Sequence, residues 1–296
     1  MLMFTNIYSP LQKINHPQQA NFWIKRDDLI DPYISGNKWR KLKYILKAAY
    51  RQQKKHLVTF GGAYSNHLVA TAAACARNGL KSSAFVRGDA AECTDNEMLM
   101  LCRLFGMELI FTDRTSYRNK PALFEAHFDQ DSSAYFVDEG GASPEAVEGC
   151  AEIIAELPAD VDHLFCAAGT GTTAAGLLKG IVTAGLDTQL HVIPVLKGGD
   201  FIADEIIRHT GNTSQMMLHT DFHFGGYAKT TPELISYIKR FSADTGILVD
   251  PVYTGKMFYA IDQLIARGHF SPEEKVVALH TGGLLGLMGM KDKFLM

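Results

Sequence analysis

Short apolar runs and helix-spaced segments alternate along nearly all of this 296-residue chain, and that alternation constrains its fold more than any other feature. Strand-like runs fall at residues 56–60, 82–86, 108–111, 134–137, 163–166, 189–195 and 275–280, and Trp23-Ile24-Lys25-Arg26-Asp27-Asp28 is a short strand-like stretch ending in a charged turn. Between them, residues 65–78, 97–105, 120–127, 173–180, 205–209, 232–241 and 257–267 carry helical patterns, and a glycine-rich turn at 139–144 opens another helix reaching residue 157. Strands separated by helices of this length pair side by side in parallel sheets with right-handed crossovers. The expected class is therefore α/β. Met and Leu repeated between Met98 and Leu104 read as one buried helix face.

Composition then narrows the function classes. Hydrophobic residues make up 47% and charged residues 21%, enough apolar surface for a substantial core. A formal charge of −3 with no basic or acidic block argues against a nucleic-acid surface. No apolar run reaches the ~18 residues a membrane helix needs. Met1-Leu2-Met3-Phe4-Thr5-Asn6 lacks the positive region and apolar core of a secretory signal, so a cytoplasmic protein is expected. The five cysteines include no C-x-x-C pair and read as reduced, mostly buried thiols. His219 and His223 lie four apart without the acidic residue of a zinc helix, so no metal site is expected.

Residues 35–43, Ser-Gly-Asn-Lys-Trp-Arg-Lys-Leu-Lys, hold the most informative side chain. Lys38 follows Gly36 and Asn37 where a helix would start, and Trp39, Leu42, Ile45, Leu46 and Ala49 continue at helical spacing. The positive end of the helix dipole and burial both lower a lysine pKa, and a neutral amine attacks a carbonyl to form a Schiff base. Lys41, three residues on, suits a phosphate. Taken alone, the segment favours a solvated basic first turn by roughly two to one. Gly169-Thr170-Gly171-Thr172-Thr173 stands between a strand and a helix, where backbone amides and hydroxyls form an anion cradle. A dinucleotide fold would place an acid about 20 residues later, but that strand ends Pro194-Val195-Leu196-Lys197-Gly198. Ser65-Asn66-His67 opens a helix, which a serine N-cap alone would explain.

In chain order, Trp23-Ile24-Lys25-Arg26-Asp27-Asp28, the Lys38 segment, Phe60 through His67, Ala168 through Thr173 and Asp250-Pro251-Val252-Tyr253-Thr254-Gly255-Lys256 resemble the pyridoxal-phosphate (PLP) enzymes of fold type II, the tryptophan synthase β-like group. More narrowly they resemble the 1-aminocyclopropane-1-carboxylate (ACC) deaminases and D-cysteine desulfhydrases, over residues 9–283. The resemblance implies a small α/β domain at 54–138, set into a large PLP-binding domain made of 1–53 and 139–296, with the cofactor between them. It implies PLP on Lys38, its phosphate held by Lys41, Gly169, Thr170, Gly171, Thr172 and Thr173, and Asn66 on the ring hydroxyl. Ser65 would bind the substrate carboxylate, Tyr253 and Tyr227 would face the substrate, and Thr254 would meet the pyridine nitrogen. A homodimer acting on a small amino acid is the family expectation.

Departures from the family pattern bear on the substrate. ACC deaminases carry glutamate where this chain has Thr254; a neutral hydroxyl leaves the ring nitrogen largely unprotonated and the ring a weaker electron sink. That suits β-elimination better than opening a cyclopropane. His67 matches the desulfhydrase branch. Ser35 and Ala228 replace glycines, and Leu284-Leu285-Gly286 replaces a proline-containing turn. The expected reaction is elimination from D-cysteine to pyruvate, sulfide and ammonia, with ACC deamination as the alternative. A dinucleotide-dependent oxidoreductase and a non-catalytic PLP-binding protein are the distant ones.

Overall fold

The computed structural model describes residues 7–19, 21–93, 95–211 and 213–295; the hexapeptide read above for a signal lies outside them. Strands β1 (Leu11–Ile14), β2 (Phe22–Lys25), β7 (His163–Ala168), β8 (Gln189–Pro194), β9 (Met216–Leu218) and β10 (Val276–Leu279) form one sheet in the order β1-β2-β10-β7-β8-β9. Strands β3 (His56–Gly62), β4 (Lys81–Arg87), β5 (Glu108–Thr112) and β6 (Ala134–Phe136) form a second, in the order β5-β4-β3-β6. All pairings are parallel except β1 with β2. The alternation of the sequence thus becomes two parallel sheets, and the four-stranded one lies wholly within residues 56–136.

Helices cover the sheets: α1 (Asn37–Arg51), α2 (Asn66–Arg77), α3 (Glu97–Leu104), α4 (Lys120–Phe128), α5 (Pro144–Ala151), α6 (Thr172–Ala184), α7 (Phe201–Thr210), α8 (Pro232–Thr245), α9 (Thr254–Ala266) and the short α10 (Asp292–Leu295). Strand β7 shows why both faces need cover. It sends Phe165 and Ala167 into one apolar core and Leu164, Cys166 and Ala168 into the other, as a period of two requires. On α3 the buried face is Met98, Leu99 and Cys102, while Met100 and Leu104 stay exposed. Two strands escaped the sequence reading. Each is a short edge strand, β1 four residues with the mixed sequence Leu11-Gln12-Lys13-Ile14 and β9 three residues with none fully buried, too short for a period to show.

Sequence periodicity places α1 correctly: Trp39, Leu42, Ile45, Leu46 and Ala49 are all buried. A charged anchor completes it. Arg40 is 1% exposed and donates through Nε and Nη2 to the fully buried Asp27, at 3.0 and 2.8 Å. Its other contacts go to Glu156, which also accepts from the buried Lys25 at 2.8 Å. Burial opposes the Arg40 charge, but hydrogen bonds to Glu156 and Asp27 outweigh it and raise its pKa. Glu156 is pulled below the usual carboxylate range by Arg40 and Lys25, against the effect of burial.

Other sequence expectations find simple places. Cys75, Cys102, Cys150 and Cys166 are buried free thiols, and burial pushes Cys75 and Cys102 up to about 12. His219 bonds His191 at 2.9 Å beside the ring of Phe165, a packing role. No helix among the described residues is long and apolar enough to cross a membrane.

Candidate active site

The C-terminal ends of β3, β4, β7 and β10 converge on a cleft of about 540 Å³, the position where parallel sheets bind ligands. Lys38 lines it from the first turn of α1. Its entry turn is locked to the end of β10: Gly36 has φ +58°, and a Cβ there would lie 1.8 Å from the Thr281 carbonyl oxygen. The Asn37 N–H donates to that same oxygen at 3.3 Å. Ser35 is accommodated because Gly282 faces it; a Cβ on Gly282 would sit 2.0 Å from Ser35 Oγ.

Lys38 Nζ donates to Asn37 Oδ1 at 3.1 Å, and Asn37 Nδ2 donates to Thr173 Oγ1 at 3.0 Å. The amine is thereby tied to the cradle ahead of α6. Burial, reinforced by the charge of Lys41, pulls Lys38 down to about 7. A large neutral fraction therefore exists at neutral pH, which is the form a nucleophile or base needs. Lys41 is also buried, with its pKa lowered by burial, and donates to the Gly140 carbonyl at 3.1 Å.

Thr170, Gly171 and Thr173 line the cleft with Gly169. Gly171 is the left-handed N-cap of α6 at φ +83°, and the first helical bond runs from Ala175 N–H to its carbonyl. The amides of Thr172, Thr173 and Ala174 precede that bond and face the helix's anion-binding end. The Thr172 side chain is fully buried and turns to Thr170, oxygen to oxygen at 3.1 Å, so only its backbone serves the cradle.

Ser65 stands at the N-cap of α2, yet its side chain makes no capping bond. The capping explanation of this serine thus fails, and the hydroxyl lines the cleft beside Asn66. His67 is buried: Thr59 Oγ1 donates to the Val137 carbonyl at 3.0 Å and so accepts from His67 Nε2 at 2.7 Å. Burial, with Lys38 and Lys41 nearby, holds His67 neutral, and its Nδ1 keeps a lone pair without a partner.

Tyr253 and Tyr227 meet edge to face with ring centres 6.1 Å apart. Burial raises both phenols. Tyr253 lies over Gly169, where a Cβ would come within 3.3 Å of the phenol oxygen. Lys256, overlooked in the sequence reading, holds the Tyr227 loop. Its fully buried Nζ donates to the carbonyls of Val195, His223 and Gly226 at 3.0, 2.8 and 2.8 Å. Ala228 in this loop adopts φ +55°, a left-handed conformation that a residue with a Cβ adopts less readily than glycine.

Thr254 has its hydroxyl partner within the protein. It is fully buried and absent from the cleft wall; its hydroxyl donates to Asp250 Oδ1 at 2.7 Å and accepts from the Asp250 N–H at 2.9 Å. As the first residue of α9 it completes a cap in which Asp250 also accepts from the amides of Val252, Tyr253 and Thr254, each at 2.8 Å. The cleft side of this turn is occupied by Asp250, Val252 and Tyr253, with Thr281 opposite. Thr254→Val should therefore cost about 1–3 kcal/mol of unfolding free energy, the loss from a buried hydrogen-bonded hydroxyl. Denaturant unfolding measures this. A shifted cofactor absorption band with stability intact would return Thr254 to the ring.

Residues 4–282 match the family described as pyridoxal-phosphate dependent enzyme. The chain belongs to that family. Among relatives of this PLP-dependent enzyme, a Pyrococcus horikoshii protein provisionally named 1-aminocyclopropane-1-carboxylate deaminase is 31% identical, over 96% of this chain and 91% of its own. The bifunctional D-cysteine desulfhydrase/ACC deaminase of Arabidopsis thaliana is 29% identical, over 96% and 78%. The D-cysteine desulfhydrase of Yersinia enterocolitica is 29% identical, over 93% and 91%. The crystal structure of an ACC deaminase homologue superimposes with a TM-score of 0.84 at 28% identity, covering 97% of this chain and 93% of that one. Its architecture is fold type II. The cleft suits PLP on its own chemistry, since a lysine amine lowered to about 7 shares it with the anion cradle of α6.

Proposed function

We propose that this enzyme catalyses α,β-elimination from a small β-substituted amino acid, with D-cysteine the best candidate substrate. Bound PLP supplies a carbonyl for the substrate amine and an electron-poor ring for the electron pair left at the α-carbon. Lys41 and residues Gly169, Thr170, Gly171, Thr172 and Thr173 are assigned to the phosphate, Asn66 to the ring hydroxyl and Ser65 to the substrate carboxylate. Lys38, neutral in part at pH 7, takes the α-proton. Tyr253, with Tyr227, delivers a proton to the departing sulfur. The sum is D-cysteine plus water giving pyruvate, ammonia and hydrogen sulfide.

The Lys38 amine, lowered to about 7, carries this reading, because elimination begins with an α-proton and ACC has none. The cleft carboxylates support it. Asp250 already accepts four hydrogen bonds, and Glu139 is paired with Lys120 at 3.5 Å. A carboxylate free to hold a proton on the ring nitrogen is therefore missing from the described residues of the cleft. Names carried by the Pyrococcus and Arabidopsis relatives favour ACC deamination as the second reading. We also assign the two sheets to a small domain, 54–138, and a large one, 1–53 with 139–296, in a cytoplasmic homodimer.

A screen of D- and L-cysteine, D- and L-serine, β-chloroalanine and ACC for keto-acid release decides between these readings. Sulfide and pyruvate from D-cysteine, with no 2-oxobutanoate from ACC, is the expected result. Efficient ACC turnover would overturn it.

A further inference from the structure

The chain beyond β10 bridges the two sheets beside the cleft. After Gly283 a 3-10 helix, Leu284–Met290, carries it from the large sheet onto the small one, where Leu285 packs on the core that contains Leu68, Val69, Met98 and Leu99. Lys291 then pairs with Glu97 of α3 at 2.9 Å, and Phe294 packs back against the core of the large sheet. The bridge meets the cleft through Gly283, Gly286, Gly289 and Met290. A 3-10 helix turns once in about three residues, so the three glycines share one face.

Neither Gly286 nor Gly289 has a positive φ, so backbone conformation does not call for glycine at either position. Contact does. A Cβ on Gly286 would lie 3.1 Å from Asn66 Nδ2, and one on Gly289 would lie 2.7 Å from Cγ and Cδ1 of Tyr64. The same Asn66 amide would stand 3.1 Å from a Cβ on Gly283. The glycine face is thus laid directly on the loop that carries Tyr64, Ser65 and Asn66. The side chains of these three residues form no hydrogen bond among the described residues, so packing against neighbours orients them.

We infer that the 3-10 bridge is the positioning element of the substrate loop, with Gly286 setting the Asn66 amide and Gly289, through Tyr64, setting Ser65. The inference rests on the proposed reading of the site, in which Asn66 meets the cofactor and Ser65 the substrate carboxylate, and deepens it. The two effects separate by residue. Bulk at position 286 displaces the Asn66 amide and disturbs the cofactor. Bulk at position 289 displaces Tyr64 and the adjoining Ser65, and disturbs the substrate.

Gly286→Ala, Gly289→Val and the double variant Gly289→Val with Tyr64→Ala can be compared with the parent holoenzyme. PLP affinity is measured for each, and D- and L-alanine, which lack a β leaving group, are titrated against the cofactor absorption. Gly289→Val should weaken alanine binding roughly tenfold with PLP affinity kept, and removing the Tyr64 ring that valine strikes should recover most of that loss. Gly286→Ala should instead lower PLP affinity by about threefold or more and shift the cofactor band. Should the valine variant not fold, Gly289→Ala carries the same comparison, since its Cβ already meets Tyr64 at 2.7 Å. Parental affinities in both single variants would overturn the inference. So would a loss of both ligands in proportion that Tyr64→Ala does not relieve, the sign of a merely structural bridge. Pyruvate release from β-chloroalanine is scored separately: its absence in every protein, with the pattern of alanine and PLP binding as expected, would overturn the elimination reading and uphold the positioning role.

Discussion

Replacing Lys38 with arginine should abolish turnover, by about 10³-fold or more, in a protein that still folds. Arginine stays protonated at any accessible pH, so it can neither attack a carbonyl nor take an α-proton. Lys38 lines the cleft and the helix behind it is held by Trp39, Leu42, Ile45 and Leu46, so the exchange leaves the packed face of α1 untouched. The cofactor's visible band should vanish while circular dichroism is retained. The lowered pKa adds a pH test. Only the neutral amine reacts, so PLP uptake by the stripped protein should rise through pH 7 and level off above it. An ordinary lysine would still be gaining reactivity toward 10.5. Uptake that climbs steadily to pH 10 would show that Lys38 is solvated.

Asp27→Ala should be the most destabilising single change outside the cofactor site, at about 3–5 kcal/mol. It removes the two hydrogen bonds that Arg40 makes to a fully buried carboxylate and leaves a buried guanidinium with Glu156 alone. Ser9, whose hydroxyl donates to Asp27 at 2.5 Å, would lose its partner as well. Urea denaturation measures the loss directly, and the melting temperature should fall by on the order of 10 °C. Because Arg40 stands two residues from Lys38, weaker cofactor retention should accompany it. A variant as stable as the parent would mean that apolar packing alone positions α1.

What could be read from the sequence follows the range of the interactions involved. The face of α1, the cradle between β7 and α6, and the alternation that builds both sheets are local patterns repeating within a few residues. Lys38 and the motifs around it also keep a recognisable order, and Lys38, Lys41, Ser65, Asn66, Tyr227 and Tyr253 all line the cleft. Motif position says which residue follows Tyr253 but not where its hydroxyl points; in the structure Thr254 supplies two of the four donors gathered on Asp250. Lys256 and Arg40 escaped for a related reason. Their partners lie 30 and 61 residues away for two of the Lys256 bonds, and 116 residues away for the Arg40–Glu156 contact. Nothing near either residue in sequence marks it as buried.

The central claim, that Lys38 is the residue joined to PLP, has a direct test. The holoenzyme is reduced with borohydride, digested, and its pyridoxyl-bearing peptide sequenced by mass spectrometry. The label should sit on Lys38, in the peptide containing Gly36 and Asn37. A pyridoxyl group on Lys41 or Lys256, with Lys38 unmodified, would contradict the account.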